Sequence, residues 1–463
     1  MTMADSGGDT YDLVALGTGT AATRVAGDCR EAGWRVAVVG PDPMGGTCAL
    51  HGCEPKKTLR TLAETLDLAR RLGPAGLRGA GDLAIDWPVL QAFVRGFTGP
   101  VPAKRAEAYA EAGIDAFHGC ARFTGRDTLA VGDRTLKARH VLIATGTKPA
   151  PLPIDDPDGL LATSDDFLAL ESLPRRIVLV GGGYISFEFA HIAARAGAEV
   201  TLLHQDDSPL DQFDPDLVGR LVEHTRRRVG VAVELGADVA SLERAGRGGE
   251  AGVVAVTKDG RRFAADLVVH GSGRVPNLDT LDLDAAGIAR DEKGKLKLDR
   301  FLRSETNPAV FAAGDAAGAG PPLTPVATID AEVVSANLLE GCTREPDYRG
   351  VPSAVFAVPP LAMVGLTEAK AREQGLGFDL MQEDMASYKS VQREREETAA
   401  FKILLERGGR GRVLGAHLLG PGSEEVVNLF ALAIRLDLPA SDLRRLVSAY
   451  PSAGSNLAKM LGR

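Results

Sequence analysis

The sequence lacks the features of a membrane protein and of a nucleic-acid-binding protein. No apolar run approaches the ~20 residues that a bilayer-spanning helix needs. The formal net charge is −9, with 53 basic against 62 acidic residues, which disfavours a dedicated nucleic-acid surface. The N-terminal stretch "MTMADSGGDTYD" has no basic start followed by an apolar run, so no secretory signal is expected. We therefore expect a cytoplasmic protein.

Cysteine is also scarce, with five in 463 residues. Cys29, Cys120 and Cys342 are isolated in the sequence and are interpreted as incidental thiols. Cys48 and Cys53 form a close pair in "GGTCALHGCEPKK", with four residues between them. Structural disulfides are rare in the cytosol, so such a pair favours redox chemistry or metal binding over a staple. A zinc site needs further ligands, and no second cluster is present, so no metal is expected.

A dinucleotide-binding pattern stands near the start of the chain. An apolar strand pattern at Leu13–Leu16 is followed by Gly17-x-Gly19-x-x-Ala22, a helix pattern and a second strand pattern at Val36–Val39. Gly17 permits the tight turn, Gly19 lets backbone N–H groups approach a pyrophosphate, and Ala22 lets the helix pack closely on the strand. The helix N-terminus attracts the phosphate charge, so the segment predicts a bound dinucleotide.

One expected carboxylate is missing from this first segment. The position after the second strand, which usually carries an acidic residue for the ribose, is Gly40. Asp42 is the nearest carboxylate and is the candidate to replace it.

The pattern recurs in the middle of the chain, as Gly181-x-Gly183-x-x-Ser186 between strand patterns at Ile177–Val180 and Val200–Leu203. Two such segments predict two dinucleotides, and an enzyme that holds two can pass electrons between them. A chain of 463 residues is also long enough for about three domains.

The residues after the second segment bear on the choice between NAD and NADP. They read His204-Gln205-Asp206-Asp207, with no carboxylate at the first position. His204 could meet the 2′-phosphate of NADP, whereas the two aspartates would oppose it. The sequence therefore favours NADPH over NADH.

The chain resembles the pyridine nucleotide–disulfide oxidoreductases, the family of glutathione reductase, dihydrolipoamide dehydrogenase and mercuric reductase. The resemblance covers essentially the whole chain, and its motifs stand in the family's order. After the two glycine-rich segments and the cysteine segment, they are "VLIATGTKP", "GGGYISFE", "GSGRVPN", "TNPAVFAAGDAA", "LTPVA", "VFAVPPLAMVGLTEAKA" and "GAHLLGPGSEEVVNLFALAI".

The resemblance implies an α/β fold with two Rossmann-like dinucleotide-binding domains, for FAD and NAD(P), and a C-terminal α+β dimerisation domain. The implied bounds are 1–150 for the FAD-binding domain, 151–272 for the NAD(P)-binding domain, 273–347 for the return segment and 348–463 for the dimerisation domain. The chain would form a homodimer.

The resemblance also assigns roles at the active site. Cys53 would contact the flavin and take up electrons, and Cys48 would attack the acceptor by the mixed-disulfide route. Lys57 and Glu188 would form a charged pair near the flavin and the nicotinamide. The candidate cofactor-binding residues are Gly17, Gly19, Ala22, Asp42, Gly46, Thr47, Lys57, Ala121, Thr145, Gly146, Gly181, Gly183, Tyr184, Ile185, His204, Gly273, Arg274, Asp315 and Ala327.

The chain departs from the family near its C-terminus. Disulfide reductases of the family usually carry a His-Pro pair there, with a glutamate four residues beyond the proline. Here Tyr450 precedes Pro451, and Ser455 stands in the place of the glutamate. Tyr450 and His51, which lies inside the cysteine segment, are therefore the candidate proton donors.

The sequence thus predicts an NAD(P)H-dependent flavoprotein disulfide reductase that uses FAD and a redox-active disulfide between Cys48 and Cys53. Its acceptor would be a disulfide or a related thiol-reactive small molecule. The alternative is a diaphorase-type reductase of quinones or metal ions, because such acceptors leave no thiolate to protonate.

Overall fold

The computed structural model describes residues 9–41, 43–245 and 252–462. The chain forms two compact units, each assembled from three segments. The first unit consists of Met1–Pro55, Arg95–Ala150 and Arg274–Tyr348, and the second of Lys56–Val94, Pro151–Gly273 and Arg349–Arg463. The predicted domain bounds stay a prediction, and the segment Lys56–Val94, assigned there to the FAD-binding domain, lies in the second unit.

The first unit contains a seven-stranded sheet, mostly parallel. Its strands are Asp115–His118, Val36–Gly40, Asp9–Leu16, Arg134–Ile143, Thr128–Val131 and Ala121–Phe123 in spatial order, with Val310–Ala312 also paired to Arg134–Ile143. The central strand is buried on both faces from Leu13 to Leu16, as a parallel sheet covered by helices requires. The two strands that the sequence predicts in this region, Leu13–Leu16 and Val36–Val39, are therefore confirmed.

Helices and a small hairpin complete the first unit. The helices include Thr20–Glu31, Thr47–Leu50, Val101–Ala112 and Thr324–Glu340. Thr147–Pro149 and Arg274–Pro276 pair as a two-stranded antiparallel sheet, which joins the end of one chain segment to the start of the next.

The second unit contains a five-stranded parallel sheet and two antiparallel sheets. The parallel sheet has the order Ala232–Glu234, Glu199–Leu203, Arg176–Val180, Leu267–His270 and Leu161–Ala162. One antiparallel sheet is Val239–Arg244, Val253–Thr257 and Arg262–Ala265. The other is Ser353–Val355, Leu361–Gly365, Val413–Leu419, Ala400–Glu406 and Phe378–Asp384.

Helices cover these sheets at apolar faces. The second unit holds Ser164–Leu168, Tyr184–Arg195, Pro215–His224, Glu368–Glu373, Lys389–Gln392, Ser423–Arg435, Ala440–Arg444 and Leu457–Met460. The chain also forms the helices Cys53–Leu72 and Trp87–Thr98. Together the two units show the α/β fold with two dinucleotide-binding sheets and a C-terminal α+β part that the sequence predicts. Within the described ranges, every helix is too short or too polar to cross a membrane.

Candidate active site

The first glycine-rich turn has the geometry that a pyrophosphate needs. Gly17 has φ of 125°, and a Cβ there would lie 2.2 Å from the carbonyl O of Ala144, so only glycine fits. Gly19 precedes the helix Thr20–Glu31, and no side chain of the described residues caps the N–H groups at its start. A Cβ on Gly46 would lie 2.4 Å from Cα of Gly19, so the cysteine segment approaches this turn at backbone distance. The open N–H groups fit a phosphate.

Thr18 explains why the usual acidic residue is absent. The N–H of Gly45 donates to Oγ1 of Thr18 at 3.1 Å, which ties the turn to the cysteine segment. A Cβ at Gly40 would lie 2.7 Å from Cγ2 of Thr18, so a side chain at that strand end would require Thr18 to move. Ala22 is fully buried against the sheet, as predicted for close helix packing. Asp42, the candidate replacement, lies outside the described residues.

The segment beside the Gly17 turn offers polar groups that suit the ribityl chain of a flavin. Oγ1 of Thr145 is buried without a hydrogen-bond partner in the described part of the chain. Two residues on, Oγ1 of Thr147 donates to Oδ2 of Asp315 at 3.3 Å, and burial raises the pKa of that carboxyl. Arg274 donates to the carbonyl O of Thr147 at 2.8 Å. An unpartnered hydroxyl close in sequence to a half-buried carboxyl fits a hydroxylated ligand.

The other predicted FAD-binding residues have mainly backbone roles. Thr47 begins the helix Thr47–Leu50, Gly146 has φ of 67°, and Ala121 is buried at the start of a strand. Cβ of Ala327 would lie 3.2 Å from a Cβ on Gly314, so the small side chain lets the two backbones approach. The residues of the first unit thus fit FAD.

A threonine hydroxyl lies between the two thiols of the cysteine pair. Cys48 lies in the helix Thr47–Leu50, and Cys53 begins the helix Cys53–Leu72. Both are free thiols here, and they are hydrogen-bonded to each other. Oγ1 of Thr324 lies 3.3 Å from Sγ of Cys48 and 3.7 Å from Sγ of Cys53. Sequence reasoning missed this role of Thr324, although it noted the motif "LTPVA" that contains it.

The surroundings of the pair act on the acidity of Cys48 in opposite directions. The hydrogen bond with Cys53 and partial burial raise the pKa of the Cys48 thiol, while the hydroxyl of Thr324 lowers it. On balance the pKa of the reduced Cys48 is raised. A Cβ on Gly52 would lie 2.9 Å from the carbonyl O of Thr47, so this glycine serves a close backbone approach between the cysteines. His51 follows the helix Thr47–Leu50 and is half-buried.

In the second unit, Glu188 forms its ion pair with Lys56. Nζ of Lys56 lies 2.5 Å from Oε2 of Glu188, and the backbone N–H of Phe356 donates to Oε1 at 2.8 Å. Nζ of Lys57 instead lies 3.2 Å from the centroid of the Phe356 ring. Burial, followed by the charge of Arg60, lowers the pKa of Lys57 to about 8. The predicted Lys57–Glu188 pair is thus replaced by Lys56–Glu188.

The second glycine-rich turn also has room only for glycine. Gly181 has φ of 112°, and a Cβ there would lie 2.5 Å from Oγ of Ser272. A Cβ on Gly271 would lie 2.1 Å from Oγ of Ser186, so the larger third residue is accommodated by a second glycine. Gly183 precedes the helix Tyr184–Arg195, whose start carries no side-chain cap in the described residues. The turn can therefore receive a pyrophosphate, like the first one.

Four further predicted cofactor-binding residues are Tyr184 and Ile185, at the start of this helix, and Gly273 and Arg274, where the chain passes from the second unit to the first. Tyr184 is 43% exposed, and Nζ of Lys56 lies 6.0 Å from the centroid of its ring. Ile185 follows it and is half-buried. Gly273 has φ of 101° and precedes Arg274 at the boundary between the units.

His204 does not have the orientation that the NADPH prediction needs. Its Nδ1 accepts a hydrogen bond from the N–H of Gly182 at 3.0 Å, and its Nε2 lies 3.0 Å from the carbonyl O of Ser208. Nε2 must donate to that carbonyl, so both ring nitrogens are in use within the protein. A Cβ on Gly182 would lie 2.6 Å from the ring, which shows how closely it packs on the turn. The contacts of His204 do not favour a phosphate ligand there, and the NADPH preference stays a prediction.

The C-terminal segment supplies no imidazole and no carboxylate in the usual places. Tyr450 is 81% exposed. Oγ of Ser455 donates to the carbonyl O of Ser452 at 2.6 Å and so stabilises a local turn. His417, the last histidine of the sequence, is buried, and its Nε2 donates to the carbonyl O of Leu366 at 3.0 Å. In the places of the usual dyad, this chain has the exposed phenol of Tyr450 and the hydroxyl of Ser455.

Two family profiles match the chain, and both describe the family that the sequence resembles. A sequence profile described as pyridine nucleotide-disulphide oxidoreductase matches residues 11–331. A profile of the dimerisation domain of the same family matches residues 351–461, which fits the predicted homodimer.

Individual relatives span the full chain. It is 30% identical to a glutathione reductase of Burkholderia cepacia, over 98% of this chain and 99% of that protein. It is 32% identical to a mercuric reductase of Streptomyces lividans, over 95% of this chain and 93% of that protein. The solved Cu(II) complex of the HOCl-induced flavoprotein disulfide reductase RclA from Escherichia coli superposes with a TM-score of 0.87 at 28% identity, covering 98% of this chain and 99% of that one.

Proposed function

Because the chain belongs to the pyridine nucleotide-disulphide oxidoreductase family, we propose that it is an NAD(P)H-dependent flavoprotein reductase that passes electrons through Cys48 and Cys53 to a disulfide or related thiol-reactive acceptor. The observation that carries this proposal is the pair of hydrogen-bonded thiols in the same unit as the first glycine-rich turn. A metal site would need further ligands beside the two cysteines.

The residues of the first unit would hold FAD, which supplies the two-electron transfer between the nicotinamide and the cysteine pair when it is bound. The N–H groups beyond Gly19 would bind the pyrophosphate, and Thr145 and Asp315 would bind the ribityl hydroxyls. Cys53 would take up the electrons. Cys48 would attack the acceptor, forming a mixed disulfide that Cys53 then resolves.

The second unit would hold the nicotinamide nucleotide. Its pyrophosphate would lie at the start of the helix Tyr184–Arg195, and Tyr184 would cover or leave the nicotinamide site as the nucleotide comes and goes. Glu188 would orient Lys56, and the pair would set the electrostatic potential near the bound rings.

We infer that the nucleotide is NADH rather than NADPH. The support for NADPH was His204, and its ring nitrogens are occupied by Gly182 and Ser208. The side chains that follow are Gln205, Asp206 and Asp207, and the two carboxylates repel a 2′-phosphate while they can accept hydrogen bonds from ribose hydroxyls. Asp206 is exposed and so available to a ligand.

A metal ion is the second candidate acceptor. The phenol of Tyr450, the engaged Ser455 and the buried His417 leave this chain without the dyad that protonates a departing thiolate. A metal ion needs no such proton, and the Escherichia coli relative RclA was solved as a Cu(II) complex. Two Cu(II) ions would each accept one electron while the reduced thiol–thiolate pair closes to a disulfide and releases its one proton to solvent.

Thiol counting on the FAD-loaded enzyme tests the central proposal. The oxidised protein is incubated anaerobically with NADH, alkylated with iodoacetamide, and mapped by mass spectrometry. Label at Cys48 and Cys53 should depend on NADH, and Cys48→Ser should leave Cys53 labelled without NADH. Label that does not depend on the nucleotide would overturn the proposal. Turnover with a disulfide, a quinone and Cu(II) then ranks the acceptors.

A further inference from the structure

Oγ1 of Thr324 lies within hydrogen-bond distance of both sulfurs of the cysteine pair. It is the first residue of the helix Thr324–Glu340, so its backbone is fixed by that helix and its side chain is aimed at the cysteine segment. Oγ1 donates to Sγ of Cys48 at 3.3 Å, and it lies 3.7 Å from Sγ of Cys53, where either atom can be the donor. The hydroxyl can thus accept a proton from one sulfur while it donates to the other.

The chemistry needs such a group. After reduction, one proton and one negative charge are shared by the two thiols, and Cys48 can attack an acceptor only as the thiolate. The hydrogen bond with Cys53 opposes ionisation of Cys48, as does the nearby charge of Glu54. The C-terminal segment offers no histidine to remove the proton.

We propose that the Thr324 hydroxyl relays a proton between Cys48 and Cys53 and so places the thiolate on Cys48. In one state Cys48 carries the proton and Cys53 the negative charge. Thr324 gives its proton to Sγ of Cys53 and takes the proton of Cys48, which leaves Cys48 as thiolate and Cys53 as thiol. One S–H bond breaks, one forms, the threonine is unchanged, and no electrons leave the pair. The 3.3 Å contact from Oγ1 of Thr324 to Sγ of Cys48 is short enough for the hydroxyl to donate to the thiolate that this step forms.

This relay rests on the proposed function, but its test does not need the nicotinamide. The FAD-loaded protein is reduced chemically with a phosphine, and the rate of alkylation of Cys48 by iodoacetamide is measured against pH. Cys120 is exposed and serves as the reference thiol in the same sample. The variants are Thr324→Val, which keeps the shape, and Thr324→Ser, which keeps the hydroxyl.

Thr324→Val should slow alkylation of Cys48 about tenfold near pH 8 and move the midpoint of its pH profile upward, because the thiolate loses a charge-assisted hydrogen bond. Thr324→Ser should restore both, with Cys120 labelled at the same rate in all samples. Equal Cys48 rates and midpoints in the wild type and Thr324→Val would overturn the relay. The relay would also be overturned if Thr324→Ser gave the same Cys48 rate and midpoint as Thr324→Val. This holds provided that the melting temperature and flavin content show that Thr324→Ser is folded. If NADH failed to reduce the pair, the proposed function would fall while this assay still decided the relay.

Discussion

Lys56 and Glu188 form a nearly buried ion pair, with Nζ 2.5 Å from Oε2. The carboxylate is 1% exposed on the helix Tyr184–Arg195, and the lysine side chain is 14% exposed. This contact gives Lys56 a role that its place in the sequence does not reveal. Lys56 neutralises Glu188 and leaves Lys57 against the ring of Phe356.

Breaking this pair should destabilise the fold. Lys56→Met keeps the length of the side chain but leaves the carboxylate of Glu188 buried without its counter-charge. Loss of one partner of a buried pair costs about 3–5 kcal/mol, and the residual exposure of Lys56 reduces this to about 2 kcal/mol. Calorimetric melting of the wild type, Lys56→Met, Glu188→Gln and the double variant measures the coupling. The double variant should melt above Lys56→Met, and the surface variant Lys104→Met should melt like the wild type. Additive effects of the two changes would contradict the pairing.

Lys57 should react as an amine near neutral pH. Its pKa is lowered from 10.5 to about 8, first by burial and then by the charge of Arg60, with Lys56 acting in the same direction and Glu188 and Glu424 opposing it. Acetic anhydride modifies only neutral amines, so acetylation of Lys57 should rise with a midpoint near pH 8 when peptides are mapped, with exposed Lys104 as reference. A midpoint above pH 10 would show that Lys57 is paired instead.

The lowered pKa of Lys57 also makes the stability of the fold depend on pH. Because the pKa of Lys57 is lower in the folded than in the unfolded chain, its charged form weakens the fold below pH 8, and this loss disappears as the pH rises from 8 to 10.5. Lys57→Met should therefore raise the melting temperature relative to the wild type at pH 7, and the difference should shrink towards pH 10.5. A constant difference across that window would contradict the assignment.

The acidic residues that come after the strand Glu199–Leu203 should set the preference between NADH and NADPH. We expect kcat/KM for NADH to exceed that for NADPH by tenfold or more, because the carboxylate of Asp206 repels a 2′-phosphate. Asp206→Asn should raise NADPH turnover several-fold, whereas Asp133→Asn, which removes the same charge from the first unit, should not. Calorimetric binding of AMP and of 2′-phospho-AMP provides a readout without turnover. Tighter binding of the phosphorylated ligand by the wild type would reverse the inference.

Local features of the fold could be predicted from the sequence, and long-range contacts could not. The turns at Gly17 and Gly181 depend on residues close in sequence, and their glycine spacing predicts them. Thr324 is 276 residues from Cys48, so its contact with the thiol depends on the folded unit and leaves no local pattern. The ring of His204 has an orientation set by the space at Gly182, and sequence identity alone does not encode that orientation.

The turn at Gly17 should be needed for FAD. A Cβ there would meet the carbonyl O of Ala144 at 2.2 Å, so Gly17→Ala should displace the turn and lower the flavin content of the purified protein at least tenfold. Gly33→Ala is the matched control, because Gly33 also has positive φ, at 89°, but has nothing within 4 Å of its Cβ position. Both variants carry the backbone strain, and only Gly17→Ala adds the collision. Equal flavin absorbance per protein in the two variants would contradict the FAD assignment of this turn.

Removal of the phenol should separate the two candidate acceptors. If Tyr450 donates the proton to a departing thiolate, Tyr450→Phe should lower disulfide turnover about tenfold or more. Turnover with Cu(II) should change little, because that acceptor needs no proton. His51→Ala is the parallel variant, since His51 lies between the two cysteines in the sequence. Steady-state kcat with each acceptor, at matched flavin content, gives the ratio for every variant. If Tyr450→Phe and His51→Ala both keep full disulfide turnover, neither side chain is the donor. If instead Tyr450→Phe lowers turnover with both acceptors equally, the affected step comes before the reaction with the acceptor. Tyr450 then has a structural role in the C-terminal segment.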